Sequence, residues 1–198
     1  MWTIKLINII FPPSCFICKK EGKNLCDDCL PSFKKPVDSP YLYIHSLYSF
    51  KDKRVKDIIH AIKYHHRRDL ILPLIRGYKF SIPPDSILIP IPMPTLRKYM
   101  RGYNQAELIA KEISKEKNVS TRSDILIRFK NKKRQVTTKT RGERIKNQKN
   151  SFDLKSSVAD MNIILIDDVT TTGATLDEAR KVLLKNGARS VNAITLAH

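Results

Sequence analysis

The chain has 198 residues, 37 lysines and arginines against 19 aspartates and glutamates, and a formal net charge of +18, with 41% hydrophobic and 28% charged residues. This composition reads as soluble and globular, long enough for one domain with a real core plus a small appendage, and no apolar run is long enough to cross a bilayer as a helix, so the cytoplasm is the expected compartment. The cationic excess says nothing about fold but predicts attraction to polyanions, that is nucleic acid, acidic membrane surfaces or phosphorylated ligands, the bland alternative being a lysine-rich proteome.

The chain opens with "MWTIKLINIIFPPSC". This stretch is apolar, interrupted by Lys5, and lacks the charged start and small-residue cleavage site of a signal peptide. It reads as a short helix packed on the body, with a peripheral membrane contact as the other reading. All the cysteines follow at once: Cys15, Cys18, Cys26 and Cys29, as two C-x-x-C knuckles. Each tight turn presents two sulfurs to one tetrahedral ion, so a structural Zn²⁺ site leads, and four thiolates leave no open position for catalysis. Gly22 and Asn24 supply the turn between the knuckles. Disulfides are the alternative and need an oxidising compartment. Residues 1–36 therefore form an N-terminal unit of helix and zinc knuckle, and 37–198 the main domain.

"YLYIHSLYSF" (41–50) reads as a strand or hairpin. "KDKRVKDIIHAIKYHHRR" places Val55, Ile58, Ile59 and Ile62 at helical spacing with basic residues opposite. His60, His65 and His66 read as a solvated helix end, because no carboxylate or cysteine stands at ligand spacing. "LILPLIRGYKF" is a second helix ending near Gly77. "SILIPIPMP" (86–94) fits a buried parallel strand running into a loop. A helix follows from about Asn104, with Leu108, Ile109 and Ile113 apolar, and "DILIRF" (124–129) is a further strand. Between Arg128 and Lys149 there are ten basic residues and one acidic residue, Glu143. That segment cannot pack by itself and reads as a mobile basic loop over about 129–150. The chain finishes with a strand (162–168), a loop, a helix (175–186) stopped by Gly187, and a strand (190–197). Such alternation implies an open, mostly parallel α/β sheet.

"ILIDDVTTTGATLDEARKVLL" (164–184) carries the chemistry. Asp167 and Asp168 stand where a buried strand emerges, the end at which open α/β sheets bind ligands. Thr170, Thr171, Thr172, Gly173, Ala174 and Thr175 then lead into a helix. Their exposed N–H groups and the helix dipole make a nest for a phosphate monoester, and Gly173 lets the backbone curl. Two carboxylates beside a phosphate need a reason, and vicinal ribose hydroxyls, with Mg²⁺ nearby, supply one. The combination describes a phosphoribosyl group, provided that the acids face the pocket and not an internal cation.

The motif resembles the 5-phosphoribosyl-1-pyrophosphate (PRPP) site of type I phosphoribosyltransferases. Together with the four-cysteine knuckle, "PIPMPTLRKYMRGYNQA" and "RQVTTKTRGERIKNQKNSF", nearly the whole chain resembles the ComF/GntX family of competence proteins. The resemblance implies a phosphoribosyltransferase-type fold with a zinc knuckle, linked to DNA uptake in natural transformation. It implies ribose-binding acids at Asp167 and Asp168, a phosphate loop at 170–175, and a pyrophosphate loop from Pro92 to Gly102 with Arg97 and Arg101 as candidate catalytic contacts. It also implies a hood carrying Arg141, Arg144 and Asn147. Chemistry at such a site is displacement of pyrophosphate from C1 of PRPP through an oxocarbenium-like transition state. No residue is identifiable as a base reader, so PRPP binding is expected ahead of catalysis, and a salvage-type transferase is the alternative function. Single-stranded DNA is the second expected ligand, with Lys132, Lys133 and Arg134 on phosphates and Tyr99 and Tyr103 stacking on bases. Other competence proteins, such as a DNA translocase or helicase, are candidate partners.

Overall fold

Apolar runs bounded by prolines, glycines and polar turns become strands. In the computed structural model, which describes residues 12–36, 41–77, 79–129 and 151–198, these are β1 (Ile44–Tyr48), β2 (Ser86–Pro90), β3 (Ser120–Thr121), β4 (Leu126–Arg128), β5 (Phe152–Leu154), β6 (Asn162–Val169) and β7 (Ser190–Ala197). Five of them form one parallel sheet in the order β1-β7-β6-β2-β3. β4 and β5 make a separate antiparallel ribbon. The helices are α1 (Lys53–Tyr64), α2 (Ile71–Arg76), α3 (Thr95–Arg101), α4 (Gln105–Lys117) and α5 (Ala174–Lys185).

Strand periodicity sorts the core into two layers. On β6, Ile164 and Ile166 join the buried cluster that holds Val55, Ile58, Ile59 and Ile62 of α1, Leu74 of α2 and Ile109 of α4. Ile163 and Leu165 face the other cluster, with Leu176, Ala179 and Leu183 of α5 and Phe152 of the ribbon. Each such side chain, once fully buried, contributes about 1.5–3 kcal/mol. From β2 the chain travels outward through α4 to β3, and from β6 it travels the opposite way through α5 to β7. The crevice beyond the carboxyl ends of β2 and β6 is therefore the switch point where such sheets bind ligands.

The knuckle is built into this body. Leu25 and Phe33 belong to the α1–α2–α4 cluster, and Phe16, Ile17 and Leu30 pack against it. A methyl group on Gly77, at the end of α2, would lie 2.3 Å from a Leu30 methyl carbon. Three expectations change. The strand at 41–50 is confined to Ile44–Tyr48, residues 95–101 are helical rather than loop, and the strand at 124–129 pairs with β5 outside the main sheet. The helix arises because Thr95–Arg101 contains neither glycine nor proline and is rich in Leu, Met, Lys and Arg, while Gly102 at φ +73° ends it in the left-handed region. The N-terminal helix expected before Phe11 and most of the basic loop fall outside the described residues. Among the described residues, no helix is long and apolar enough to cross a membrane.

Candidate functional site

β6 carries Asp167 and Asp168 to its carboxyl end, and Thr170 begins the loop to α5. The loop is pinned on both sides. The Thr170 N–H donates to Ala197 of β7 at 3.0 Å, and its hydroxyl accepts from the Gly173 N–H at 3.2 Å. Gly173 has φ +68° and stands as the residue preceding α5. A Cβ there would sit 2.5 Å from the Tyr41 ring, so this position excludes a side chain on two grounds. The first N–H groups of α5 have no intrahelical acceptor and are available to a ligand anion. A small open pocket results, lined by Asp167 and by Val169 through Leu176.

The structure thus brings Asp167 together with Thr170–Thr175, as the sequence predicts. Asp168 is placed differently. Successive strand side chains alternate faces, and Asp168 lies on the face of α1, where its Oδ2 meets the Lys63 ammonium at 3.0 Å. Both side chains are largely covered, 21% and 15% exposed. Asp167 lies on the face of the ribbon. Although the residue is half-buried, the protein around its carboxyl, aided by the charge of Asp168, pushes its pKa up to about 7. Arg128, the last residue of β4, is close enough to feel it: burial lowers the arginine's pKa, Asp167 opposes that, and Arg97 adds to it. The Arg128 guanidinium also stacks 5.2 Å from the Phe152 ring centroid. Neither Lys63 nor Arg128 was legible as a site residue. The one signal for Lys63 is its place a turn after Ile59, at the edge of the apolar stripe of α1.

The neighbouring elements hold the remaining candidates. Arg97 is exposed on α3. Arg101 donates to Gln105 Oε1 at 3.2 Å and to the Tyr64 hydroxyl at 3.0 Å, and lies over the Tyr64 ring. Asn104 caps α4 by accepting from the Ala106 N–H at 3.1 Å and donates to the Ile91 carbonyl at 3.0 Å, which fixes the chain leaving β2. Tyr99 is 87% exposed. Tyr103 is a correction. It is 6% exposed, its hydroxyl donates to the Ile62 carbonyl, and Arg68 covers its ring at 4.1 Å, so the ring ties the α3–α4 turn to α1 and presents no face for a base. Lys132, Lys133, Arg134, Arg141, Arg144 and Asn147 lie outside the described residues.

At the other end, the four cysteine sulfurs lie within 4.8 Å of one another, Cys18 and Cys26 at 3.6 Å. A tetrahedral ion with bonds near 2.3 Å spaces its sulfurs by about 3.8 Å, so the cluster fits one metal ion. Backbone bonds from Cys15 N–H to the Lys20 carbonyl and from Phe16 N–H to the Asn24 carbonyl, each 2.8 Å, shape the knuckle.

A family model for the phosphoribosyl transferase domain matches residues 100–198, half of the chain. Competence protein ComFC of Bacillus subtilis is 36% identical over 180 residues, covering 87% of this chain and 71% of that protein. The chain belongs to the ComF family. A second relative, DNA utilization protein YhgH of Escherichia coli O157:H7, is 30% identical over 144 residues, covering 68% of this chain and 63% of that protein. A hypoxanthine phosphoribosyltransferase of Staphylococcus aureus of known structure is 17% identical, with a TM-score of 0.35 over 71% of this chain and 62% of that one. By the family-model match and the strand order, the fold of this ComF-family chain is a mostly parallel α/β sheet of the phosphoribosyltransferase kind, with a four-cysteine cluster at its N-terminal side.

Proposed function

We propose that the protein binds PRPP at the β6–α5 pocket and works in the handling of incoming single-stranded DNA during natural transformation. The observation that carries the first half is the joining of an acid at a switch-point strand end to a pinned small-residue loop that opens a helix. The 5′-phosphate takes the N–H groups of Ala174 and Thr175 and the hydroxyls of Thr171, Thr172 and Thr175; Asp167 accepts from one ribose hydroxyl, and Asp168, although paired with Lys63, accepts from the other through its exposed edge. Hard carboxylate oxygens at the crevice suit Mg²⁺, which would be shared between these acids and the ligand and would offset the charge of the pyrophosphate. Arg97 and Arg101 approach the pyrophosphate from α3, with Arg141 as a further contact from the basic loop. The DNA half draws on the names of the curated relatives, on the net charge of +18 and on exposed Tyr99 beside Arg97 and Lys98. Zinc in the cysteine cluster is structural in this reading.

Calorimetry with PRPP and Mg²⁺ tests it. Saturable binding to the native chain is expected, with loss of about 100-fold or more for Asp167→Ala combined with Asp168→Ala at unchanged circular dichroism. Undiminished binding by that variant removes the ribose assignment. Pyrophosphate release on adding one particular nucleobase would move the protein to the salvage-type transferases.

A further inference from the structure

Asp168 stands in the chain between two residues that line the pocket, Asp167 and Val169, and has a partner of its own. Its Oδ2 is held at 3.0 Å by the Lys63 ammonium, delivered from the last turn of α1. The adjacent acid, Asp167, lies on the opposite face of the strand and lines the pocket. The ion pair is a poor stabilising device: at 21% and 15% exposure, desolvation offsets most of the attraction between the charges. Together with the Val169 N–H, which donates to Oδ1 at 2.7 Å, it fixes the direction of the Asp168 carboxylate at the strand end. α1 can hold the lysine in this way because Ile58, Ile59 and Ile62 anchor the helix against Ile164 and Ile166 of the same strand.

We propose that Lys63 is a positioning residue of the sugar-phosphate pocket, holding Asp168 aimed so that it can accept from the ribose. The inference rests on the PRPP reading above. It assigns to α1 a part in ligand binding that the strand–loop motif does not contain.

The test is a double-variant cycle by calorimetry on the full, metal-loaded chain, with PRPP·Mg²⁺ and, separately, ribose 5-phosphate. Lys63→Met is expected to weaken both ligands about tenfold or more, and Lys63→Arg to stay within about threefold of the native chain. In an Asp168→Asn background, Lys63→Met should change affinity little, since the lysine then has no carboxylate to hold. Lys63→Gln, which keeps the length of the stem along α1, replaces Lys63→Met should that variant melt early. Native-level affinity in Lys63→Met overturns the proposal, and so does an equal loss with and without Asp168. A loss confined to PRPP, with ribose 5-phosphate unaffected, also overturns it, because Lys63 would then touch the pyrophosphate itself. No binding of PRPP by the native chain overturns the site assignment and the inference together, a result distinct from the others.

Discussion

Single side chains set both the stability and the pH response of the protein. Asp52 is 4% exposed and accepts from the Arg54 N–H, from the Arg54 guanidinium and from the Lys34 N–H. The Arg54 hydrogen bond, outweighing burial and joined by the backbone donors, pulls its pKa down to about 2. The folded value lies below the unfolded one, so the contribution is complete above about pH 4 and disappears as pH falls toward 2. Roughly 2 kcal/mol is involved. Urea unfolding followed between pH 5 and 2 should show that loss, and Asp52→Asn should flatten the dependence. The sequence exposed some of these roles and hid others. Asp167 and the threonine loop were legible because a strand end, small residues and a helix start follow one another within a dozen positions. Lys63, Arg128 and the burial of Tyr103 were not, because each depends on contacts between segments far apart in the chain.

Elements show the same division. β6, α5 and β7 were readable almost to the residue, since each has an unbroken apolar period and a clear stop. β3 and β5 are two and three residues long, too short for any period to register; β3 forms on the edge of the longer β2, and β5 pairs with the equally short β4. The prolines just before α3 give its sequence the look of a loop, yet they follow β2 and stop short of the helix, which begins at Thr95. The joint between β2 and α4 depends on Asn104, which both caps the helix and satisfies the Ile91 carbonyl. Asn104→Ala should cost about 2–3 kcal/mol, and Asn104→Asp, which keeps the cap but sets a buried carboxylate against the Ile91 carbonyl and Glu107, should cost at least as much. Equilibrium denaturation of the three proteins measures the order directly, and equal stability of all three would remove the bridge to Ile91.

For the molecule as a whole, the cysteine cluster and the sheet are one cooperative body. Leu25 and Phe33 share buried contacts with α1 and α2, and Leu30 fills the space over Gly77. Stripping a metal from the cluster should therefore lower the melting temperature of the entire protein by several degrees rather than fray one end, a prediction checked by calorimetric scans with and without chelator. A separate early transition would mean that the knuckle folds independently. Phe129 N–H donates to the Ser151 carbonyl at 2.9 Å, so the two ends of the cationic stretch are fastened to each other before that stretch begins. The entropy of closing a loop changes by only about 0.6 kcal/mol for each doubling of its length. A short Gly/Ser bridge can therefore join 129 to 151 without moving β4 or β5, and a protein so trimmed is expected to melt within a few degrees of native. The trimmed protein would carry far less positive charge on an unchanged frame, and its titration with oligonucleotides at rising salt would tell whether polyanion capture belongs to the removed piece or to the frame.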